Sequence, residues 1–413
     1  MEMQARQLET IKRQLEGLKD RSPFYARKFE GIDLGDVRTQ ADFEKLPFSD
    51  KADLRAAYPL GLSAVPEEEI VRIHSSSGTT GTPVIIPYTR KDVEDWAVQF
   101  ARCYEYAGVT PLDRVHITPG YGLWTAGIGF QAGCELLGAM AVPMGPGNTD
   151  KQLQMMQDLG STVLCATSSY ALLLAEEIER RELQDKIKLR KLVFGSERSG
   201  DKIRERIHDI LGVEMYDIYG LTEVYGPGIG ISCDQNAGMH VWSDFVYVEI
   251  IDPQTGEVLP DGEFGEIVLT TLRKEGAPLI RFRTHDLSRI VPGECACGHN
   301  EHPRIDTLSG RSDDMMKIHG VNVFPAQIEE ILATFAGASS EYQIRLSHLD
   351  GRDTMRLYVE AVSGSVDFNG LAQDISAAVK SKVGFTPLTK VVELGLLPRS
   401  EKKTKRVIDE RYE

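Results

Sequence analysis

The sequence predicts an α/β protein with a large N-terminal domain built on parallel sheets and a small C-terminal α+β domain. Its 413 residues exceed what one hydrophobic core usually organises, and 41% of them are apolar, enough for a real core. Between about residues 70 and 219, short apolar runs such as 163–166 and 191–195 alternate with helical stretches such as 170–181. This alternation is typical of a buried parallel sheet with crossover helices, whose ligands bind at the carboxyl ends of the strands.

The pattern changes after Gly238. Residues 245–251, 265–272 and 279–283 are predicted to be antiparallel strands, with a turn at 252–256 between the first two. They define a β-rich subdomain of about 238–308 within the N-terminal domain.

A third unit begins near Gly310. Its helices and strands are predicted in mixed order, at 324–335, 355–362, 367–383 and 391–397. We therefore divide the chain into an N-terminal domain of residues 1–310 and a small α+β domain of residues 311–413.

At the N-terminus, an apolar stripe with helical spacing predicts a helix that packs on the main body. The stripe is formed by Leu8, Ile11, Leu15 and Leu18.

Composition excludes several classes of protein. A net charge of −15 argues against nucleic-acid or anionic-membrane partners, which need a basic surface. The first 20 residues are charged throughout, unlike a signal peptide, and no apolar run approaches a membrane span, so we expect a cytoplasmic protein. In that compartment the six cysteines are expected to be free thiols or metal ligands.

The loop of residues 75–83, with sequence SSSGTTGTP, follows the apolar run 70–73. Glycine lets the backbone approach a ligand, and hydroxyl and N–H groups donate to phosphate oxygens, so we interpret this loop as a phosphate-binding loop. It lacks the Gly-Lys-Ser/Thr ending of a Walker A motif, which disfavours a P-loop NTPase. A flexible polar linker is the alternative.

Four further motifs follow this loop in a fixed order. They are YGLTE at 219–223, RTHDL at 283–287, GRSDD at 310–314 and PRSEKK at 398–403. In this order the set resembles the adenylate-forming (acyl-CoA synthetase) superfamily and, more narrowly, the phenylacetate-CoA ligase family. Longer family-like stretches are YGLTEVYGPG from Tyr219 and GRSDDMMKIHGVNVFPAQIEEI from Gly310, and the resemblance covers the chain from about Ser22 onward.

The resemblance implies an acid–thiol ligase. In such enzymes a carboxylate attacks the α-phosphate of ATP, pyrophosphate leaves, and a thiol displaces AMP from the acyl adenylate. We expect an aromatic or arylacetic acid as substrate, with ATP, Mg²⁺ and coenzyme A. Another acceptor, a carrier-protein thiol or a cofactor, is the alternative, and a non-catalytic nucleotide-binding protein is a third. A homodimer is compatible with the sequence.

The resemblance also assigns residues to the phosphates and the metal. The departing phosphates would be held by Ser75, Ser76, Ser77, Gly78, Thr79 and Thr80. Thr222 would contact the α-phosphate. Glu223 would bind Mg²⁺, since hard carboxylate oxygens suit that ion. An ordinary surface glutamate is the alternative for Glu223.

The nucleoside would be bound by residues that follow the later strands. Asp286 matches the family aspartate that accepts hydrogen bonds from both ribose hydroxyls. Arg311 would contact ribose or phosphate, with a surface salt bridge as the alternative. The remaining ATP- or AMP-binding candidates are Gly195, Ser196, Glu197, Asp217, Tyr219 and Gly220.

Asp313 occupies the position of the family's hinge, about which the small C-terminal domain rotates between the two half-reactions. Lys403 would then serve only adenylation, as a point charge between the attacking carboxylate and the α-phosphate. The family usually has glycine before this lysine, where Lys402 stands here, so Lys402 and Lys405 are alternatives. The alternative is that this segment is a solvated basic tail that contains no catalytic residue.

Two further sites are predicted. Residues 120–129 are the candidate acyl pocket, in which Tyr121 or Trp124 could stack on an aromatic acid, although Trp124 is equally expected to be structural.

The second is a structural zinc site of Cys233, His240, Cys295 and Cys297, with His299 and His302 as competing nitrogen ligands. Cys103, Cys134 and Cys165 lie in apolar surroundings and are predicted to be core thiols.

Overall fold

The computed structural model of the chain describes residues 3–76, 82–123, 126–196, 200–318, 321–349, 352–399 and 405–411. They form two compact units. Unit 1 comprises Met1–Ala166, Ile187–Ser196 and Glu214–Leu308, and unit 2 comprises Thr167–Lys186, Glu197–Val213 and Ser309–Glu413. No helix among the described residues is long and apolar enough to cross a membrane.

The helices are α1 (Ala5–Leu15), α2 (Leu18–Arg21), α3 (Pro23–Lys28), α4 (Gln40–Phe43), α5 (Lys51–Ala56), α6 (Arg90–Tyr106), α7 (Ala126–Leu137), α8 (Thr149–Leu159), α9 (Ser168–Arg180), α10 (Asp201–Leu211), α11 (Pro325–Ala333) and α12 (Phe368–Val383). The strands are β1 (Arg72–Ser75), β2 (Ile85–Tyr88), β3 (Arg114–Ile117), β4 (Met140–Pro143), β5 (Val163–Thr167), β6 (Lys191–Gly195), β7 (Glu214–Leu221), β8 (Gly226–Ser232), β9 (Met239–Val241), β10 (Val246–Ile251), β11 (Gly265–Thr271), β12 (Phe282–Ser288), β13 (Ile290–Val291), β14 (Arg304–Ile305), β15 (Gly310–Arg311), β16 (Met316–Ile318), β17 (Val321–Val323), β18 (Ala338–Leu349), β19 (Arg352–Ala361), β20 (Leu388–Val392) and β21 (Val407–Asp409).

A nine-stranded sheet forms the centre of unit 1, in the order β13-β14-β9-β8-β7-β6-β5-β3-β4. β3 is parallel to β4 and β5, and β6 is parallel to β7. Every residue of β5 and β6 is buried, as expected of apolar runs covered by helices on both faces. The predicted parallel sheet is therefore confirmed at the centre, while β8, β9, β14 and β13 extend it in antiparallel fashion.

The first predicted strand lies elsewhere. β1 pairs with β2 in a separate antiparallel sheet, with Ser75 opposite Ile85, so the apolar run before the phosphate loop is not part of the parallel sheet. This arrangement brings the two ends of the loop together, because strands joined by a short connection pair as neighbours.

The β-rich region contains the predicted antiparallel sheet, with β11 between β10 and β12. The third strand begins at Phe282 rather than at 279, because Arg281 has a positive φ of 46°, which an extended strand cannot contain.

The N-terminal apolar stripe is divided between α1 and α2, because Gly17 adopts the left-handed conformation between them.

Helices α6 and α7 pack unusually closely in unit 1. A Cβ atom at Gly129 or Gly133 of α7 would overlap Trp96 or Phe100 of α6. Gly129 and Gly133 therefore serve the close packing of α7 on α6.

In unit 2, α11 and α12 pack on a four-stranded sheet with the order β20-β19-β18-β21. Its core contains Ile344, Leu346, Leu357 and Val359. The last predicted strand, 391–397, is displaced to β20, because the chain turns after Val392. This unit has the predicted α+β character.

Candidate active site

The phosphate loop leaves β1 through two buried serines. Ser75 donates its backbone N–H to Leu123 O at 2.7 Å. The hydroxyl oxygen of Ser76 accepts from Val84 N at 3.1 Å, and Ser76 N donates to Val84 O. These bonds hold the two ends of the loop together. Ser77, Gly78, Thr79 and Thr80 lie outside the described residues.

Thr222 and Glu223 lie in the turn between β7 and β8, and both are buried. Glu223 is only 4% exposed, so the alternative of an ordinary surface glutamate is wrong. Its Oε1 atom is 2.9 Å from Lys51 Nζ, an ion pair that is not aligned as a hydrogen bond. Within the described residues this Oε1 atom accepts no hydrogen bond, and a hard metal ion such as Mg²⁺ prefers carboxylate oxygen.

Lys51, the cation beside Glu223, was not among the residues that the sequence singled out. It is the first residue of α5, whose N-cap Asp50 accepts from Ala52 N and Asp53 N. The preceding Ser49 is tied to the strand region of β12, since Ser49 N donates to Arg281 O and Ser49 O accepts from Arg283 N. The capping pattern was visible in the sequence, but nothing local indicated that this lysine reaches Glu223.

Two of the nucleoside-binding candidates, Tyr219 and Asp286, are in direct contact. Tyr219 donates its hydroxyl to Asp286 Oδ2 at 2.9 Å, and Asp286 N donates to Thr284 Oγ1 at 3.0 Å. These contacts join β7 to β12 and orient the carboxylate.

The other nucleoside candidates lie on the neighbouring strands. Ser196 follows β6 with a positive φ of 71°. Asp217 of β7 donates its backbone N–H to Ser232 Oγ at 2.9 Å. Gly220 is the penultimate residue of β7, where a Cβ atom would overlap Gly226 of the next strand. Glu197 lies outside the described residues.

Tyr121 lies in the loop between β3 and α7 and is 40% exposed. A Cβ atom at Gly127 would overlap its ring, so the glycine makes room for it. Burial of the rest of the Tyr121 side chain raises the pKa of its phenol. Trp124 lies outside the described residues.

Comparison with known proteins decides the family. Residues 26–271 match the family model described as AMP-binding enzyme, and residues 320–411 match AMP-binding enzyme C-terminal domain. The chain is 41% identical to a phenylacetate-coenzyme A ligase of Pseudomonas putida, over 98% of this chain and 93% of that protein. It belongs to the phenylacetate-CoA ligase family of AMP-binding enzymes. The resemblance inferred from the motifs is confirmed.

Two further relatives agree. A phenylacetate-coenzyme A ligase of Escherichia coli (strain K12) is 41% identical over 99% of this chain and 95% of that protein. The crystal structure of 2-hydroxyisobutyryl-CoA ligase in the postadenylation state, in complex with 2-HIB-AMP, matches with a TM-score of 0.88 and 29% identity, covering 98% of this chain and 89% of that chain. The chain is an AMP-forming acid–CoA ligase.

The family's C-terminal motifs lie in unit 2. Arg311 pairs with Asp313, with 2.8 Å between Nε and Oδ1, in a half-exposed ion pair. Lys402 and Lys403 lie outside the described residues, and Lys405 precedes β21. Arg399, just before the family's lysine motif, forms two 3.0 Å hydrogen bonds with the fully buried Glu360.

The four predicted zinc ligands come together in this family member. The ligand atoms of Cys233, His240, Cys295 and Cys297 all lie within 4.8 Å of one another. The Sγ atoms of Cys233 and Cys295 are 3.6 Å apart, and Cys297 Sγ is 3.4 Å from His240 Nε2. Burial lowers the pKa of His240 to about 4, which keeps its imidazole neutral and able to bind a metal.

The competing histidines point elsewhere. His302 Nδ1 accepts from Ser243 N, and His299 stacks on Tyr106. The three remaining thiols, Cys103, Cys134 and Cys165, are buried as predicted.

Proposed function

We propose that the chain activates phenylacetate, or an arylacetic acid close to it, with ATP and transfers the acyl group to coenzyme A. The observation that carries the proposal is the identity of 38–41% to four curated phenylacetate-coenzyme A ligases over 98–99% of this chain. The comparisons give no support to the alternative acceptors. We place the enzyme in the cytoplasm, and a homodimer remains part of the proposal.

In the proposed first step, the chain holds the triphosphate between two groups of donors. Ser75 and Ser76 begin the loop that would bind the departing phosphates, and Thr222 would donate to the α-phosphate. Lys51, paired with Glu223, would lie beside the same phosphates and balance their charge. Asp286, oriented by Tyr219, would accept from the ribose hydroxyls.

Glu223 is the residue we assign to Mg²⁺. Its carboxylate is buried, and Lys51 occupies only one side of it. A bound Mg²⁺ would neutralise charge on the phosphates as pyrophosphate leaves. Because the Lys51 ion pair already neutralises part of the carboxylate, the metal and Lys51 would share Glu223 during adenylation.

The C-terminal assignments extend this proposal. Lys403 would bring a mobile positive charge to the attacking carboxylate and the α-phosphate, and it would leave with its domain before the thiol attacks. Asp313 would be the hinge, just inside a C-terminal domain of residues 311–413. Arg399 would fix the chain before the lysine through Glu360.

Tyr121 is the residue we assign to the acyl pocket, together with Trp124. Tyr121 lies in the loop after β3 and is partly exposed, and an aromatic ring of this kind can stack on a phenyl group. An apolar pocket distinguishes substrates that differ by one methylene by only about 1–3 kcal/mol, so we expect modest discrimination among arylacetic acids.

We also propose that Cys233, His240, Cys295 and Cys297 bind one structural Zn²⁺. Three thiolates and one imidazole make a tetrahedral set that leaves no position for substrate. Protein prepared without chelators should contain about one zinc per chain. Cys295→Ser should lose the metal and Cys134→Ser should keep it, and zinc-free wild-type protein would remove the proposal.

The function is tested by AMP release from ATP with a panel of acids: phenylacetate, benzoate, hydroxylated and amino-substituted analogues and short fatty acids, each with and without coenzyme A. We expect release to depend on phenylacetate and to rise sharply with coenzyme A. Pyrophosphate exchange without stimulation by coenzyme A would indicate another acceptor. Release that no acid stimulates would overturn the proposal.

A further inference from the structure

Lys274 is a buried cation for which the proposed mechanism has no role. It follows β11, and only 2% of its surface is exposed. Its Nζ atom lies 3.4 Å from the centre of the Tyr88 ring and 4.4 Å from that of Tyr225. Within the described part of the chain, no hydrogen-bond acceptor contacts this nitrogen. The two aromatic faces are therefore the direct contacts of the ammonium.

The carboxylate that acts on Lys274 is already engaged. Asp92 of α6 accepts from Glu275 N and Gly276 N, each at 2.8 Å, and from Thr89 N at 3.1 Å. Burial lowers the pKa of Lys274 to about 7, and the charge of Asp92 only partly opposes this effect. A buried ammonium without a direct carboxylate partner is costly to stability, and such groups concentrate at functional sites.

The two rings connect this ammonium to the phosphate site. Tyr225 comes two residues after Glu223, and Tyr88 donates its hydroxyl to Tyr225 O at 2.8 Å. His74, at the end of β1 that enters the phosphate loop, packs its ring edge-on against Tyr88 with 5.1 Å between centroids. We call Lys274, Tyr88 and Tyr225 the cage. It joins the segment that carries Glu223 to β1, which enters the phosphate loop.

We propose that Lys274 is a positioning residue for adenylation: through Tyr88 and Tyr225 it fixes the segment of Glu223 relative to β1. The inference rests on the function proposed above and adds a residue to it. Lys274 itself need not touch ATP, since its effect reaches the phosphates through the two tyrosines. The charged and titratable groups that face it are Asp92, His74 and the two phenols.

A purely structural role makes the opposite prediction. If Lys274 only filled space, replacing it with the apolar, similarly long methionine would remove the cost of burying an ammonium and leave both half-reactions unchanged. If it held the core together, the variant would be less stable and both half-reactions would fall together. A positioning role predicts a protein of equal or higher stability that is selectively impaired in adenylation.

The experiment is Lys274→Met in the full-length enzyme. We expect acid-dependent pyrophosphate exchange to fall five- to twentyfold or KM for MgATP to rise by a similar factor. Thioester formation from preformed acyl adenylate should stay within twofold of wild type, and Tm should not fall. Unchanged adenylation, parallel losses in both half-reactions, or lower activity together with lower Tm would each overturn the inference.

The matched control is Lys191→Met. Lys191 is also buried, and its Nζ lies 5.3 Å from the centre of the Tyr216 ring, but it has a carboxylate partner in Glu214. This variant should lose stability without a selective change in adenylation. An equal selective loss in this control would show that buried lysines affect adenylation non-specifically, which contradicts the inference.

A second variant keeps the test decisive if Lys274→Met does not fold. Tyr225→Leu removes one face of the cage and should reproduce the selective loss, whereas Tyr216→Leu should not. If the wild type itself releases no acid-dependent AMP, the proposed function fails. If the wild type is active and both cage variants adenylate normally, only the role of Lys274 fails.

Discussion

Two buried basic side chains in unit 1, Arg281 and Lys274, have opposite kinds of contact. Arg281 and Lys274 are each 2% exposed, and both lie in the region of β11 and β12. Arg281 forms a double hydrogen bond with the fully buried Glu249, at 2.9 and 3.3 Å. In the described part of the chain, Lys274 Nζ lies over the rings of Tyr88 and Tyr225. The amino group of Lys274 therefore has no hydrogen-bond acceptor among the described residues, whereas the guanidinium of Arg281 has several.

The difference supports a structural role for Arg281 and the positioning role proposed for Lys274. Arg281 also donates to Glu44 O and to Leu46 O, and it lies over the Phe48 ring at 4.1 Å. These contacts fasten the chain that leads to Lys51. Burial raises the pKa of Glu249, and the charge of Arg281 opposes this shift. Removing one partner of such a buried pair leaves the other charge uncompensated.

The largest expected effect follows from breaking this pair. Arg281→Met leaves the Glu249 carboxylate buried without its cation, and we expect a loss of about 3–5 kcal/mol in the free energy of unfolding. Denaturant unfolding measures it. The double variant Arg281→Met with Glu249→Met should recover much of the loss, because two apolar side chains need no partner. A single-variant loss below about 1 kcal/mol would mean that the two buried cations do not differ as described.

The role proposed for Lys403, which is confined to adenylation, gives the next prediction. Lys403→Ala should slow acyl-adenylate formation about 100-fold, equivalent to about 2.7 kcal/mol, because one transition-state donor is lost. Thioester formation from preformed adenylate should change little. Lys405→Ala tests the alternative assignment of the catalytic lysine. Equal losses in both half-reactions for Lys403→Ala would argue against a lysine that serves adenylation alone.

The comparison also makes a prediction about pH. Lys274 has a folded-state pKa of about 7, against an ordinary value of 10.5. Between these values the unfolded chain holds the proton and the folded chain does not, so stability rises with pH in this window. Relative to Lys274→Met, the wild type should gain about 2 kcal/mol between pH 7.5 and 9, at about 1.4 kcal/mol per pH unit.

The control for this measurement is Lys191→Met, because Lys191, unlike Lys274, has a carboxylate partner in Glu214. Chemical denaturation at matched ionic strength gives the free energies of unfolding. Parallel curves for wild type and Lys274→Met across this window would show that Lys274 keeps its proton in the folded protein.

These cations also show where sequence reasoning stops. The motif at 219–223 could be predicted because its residues are contiguous, part of the Cys/His cluster because Cys295 and Cys297 stand two positions apart, and the parallel core because its strands are continuous apolar runs. Lys51 and Lys274 could not, since the side chains they meet lie far along the chain. The start of β12 was misplaced for a similar reason: the positive φ of Arg281 is sustained by tertiary contacts with Glu249 and residues 44–46.

The smallest effect should come from a pair that is closer than Arg281 and Glu249 but exposed. On α9, Arg180 Nη2 is 2.7 Å from Glu177 Oε2, with Arg180 64% exposed. Hydrogen bonds from Arg180 and Arg181 lower the pKa of Glu177 to about 2, but water screens the charges at this surface. Arg180→Ala should therefore change the free energy of unfolding by less than about 0.5 kcal/mol. Denaturant unfolding beside Arg281→Met gives the comparison directly, and a loss above about 1 kcal/mol for Arg180→Ala would show that distance, rather than burial, determines what an ion pair is worth in this protein.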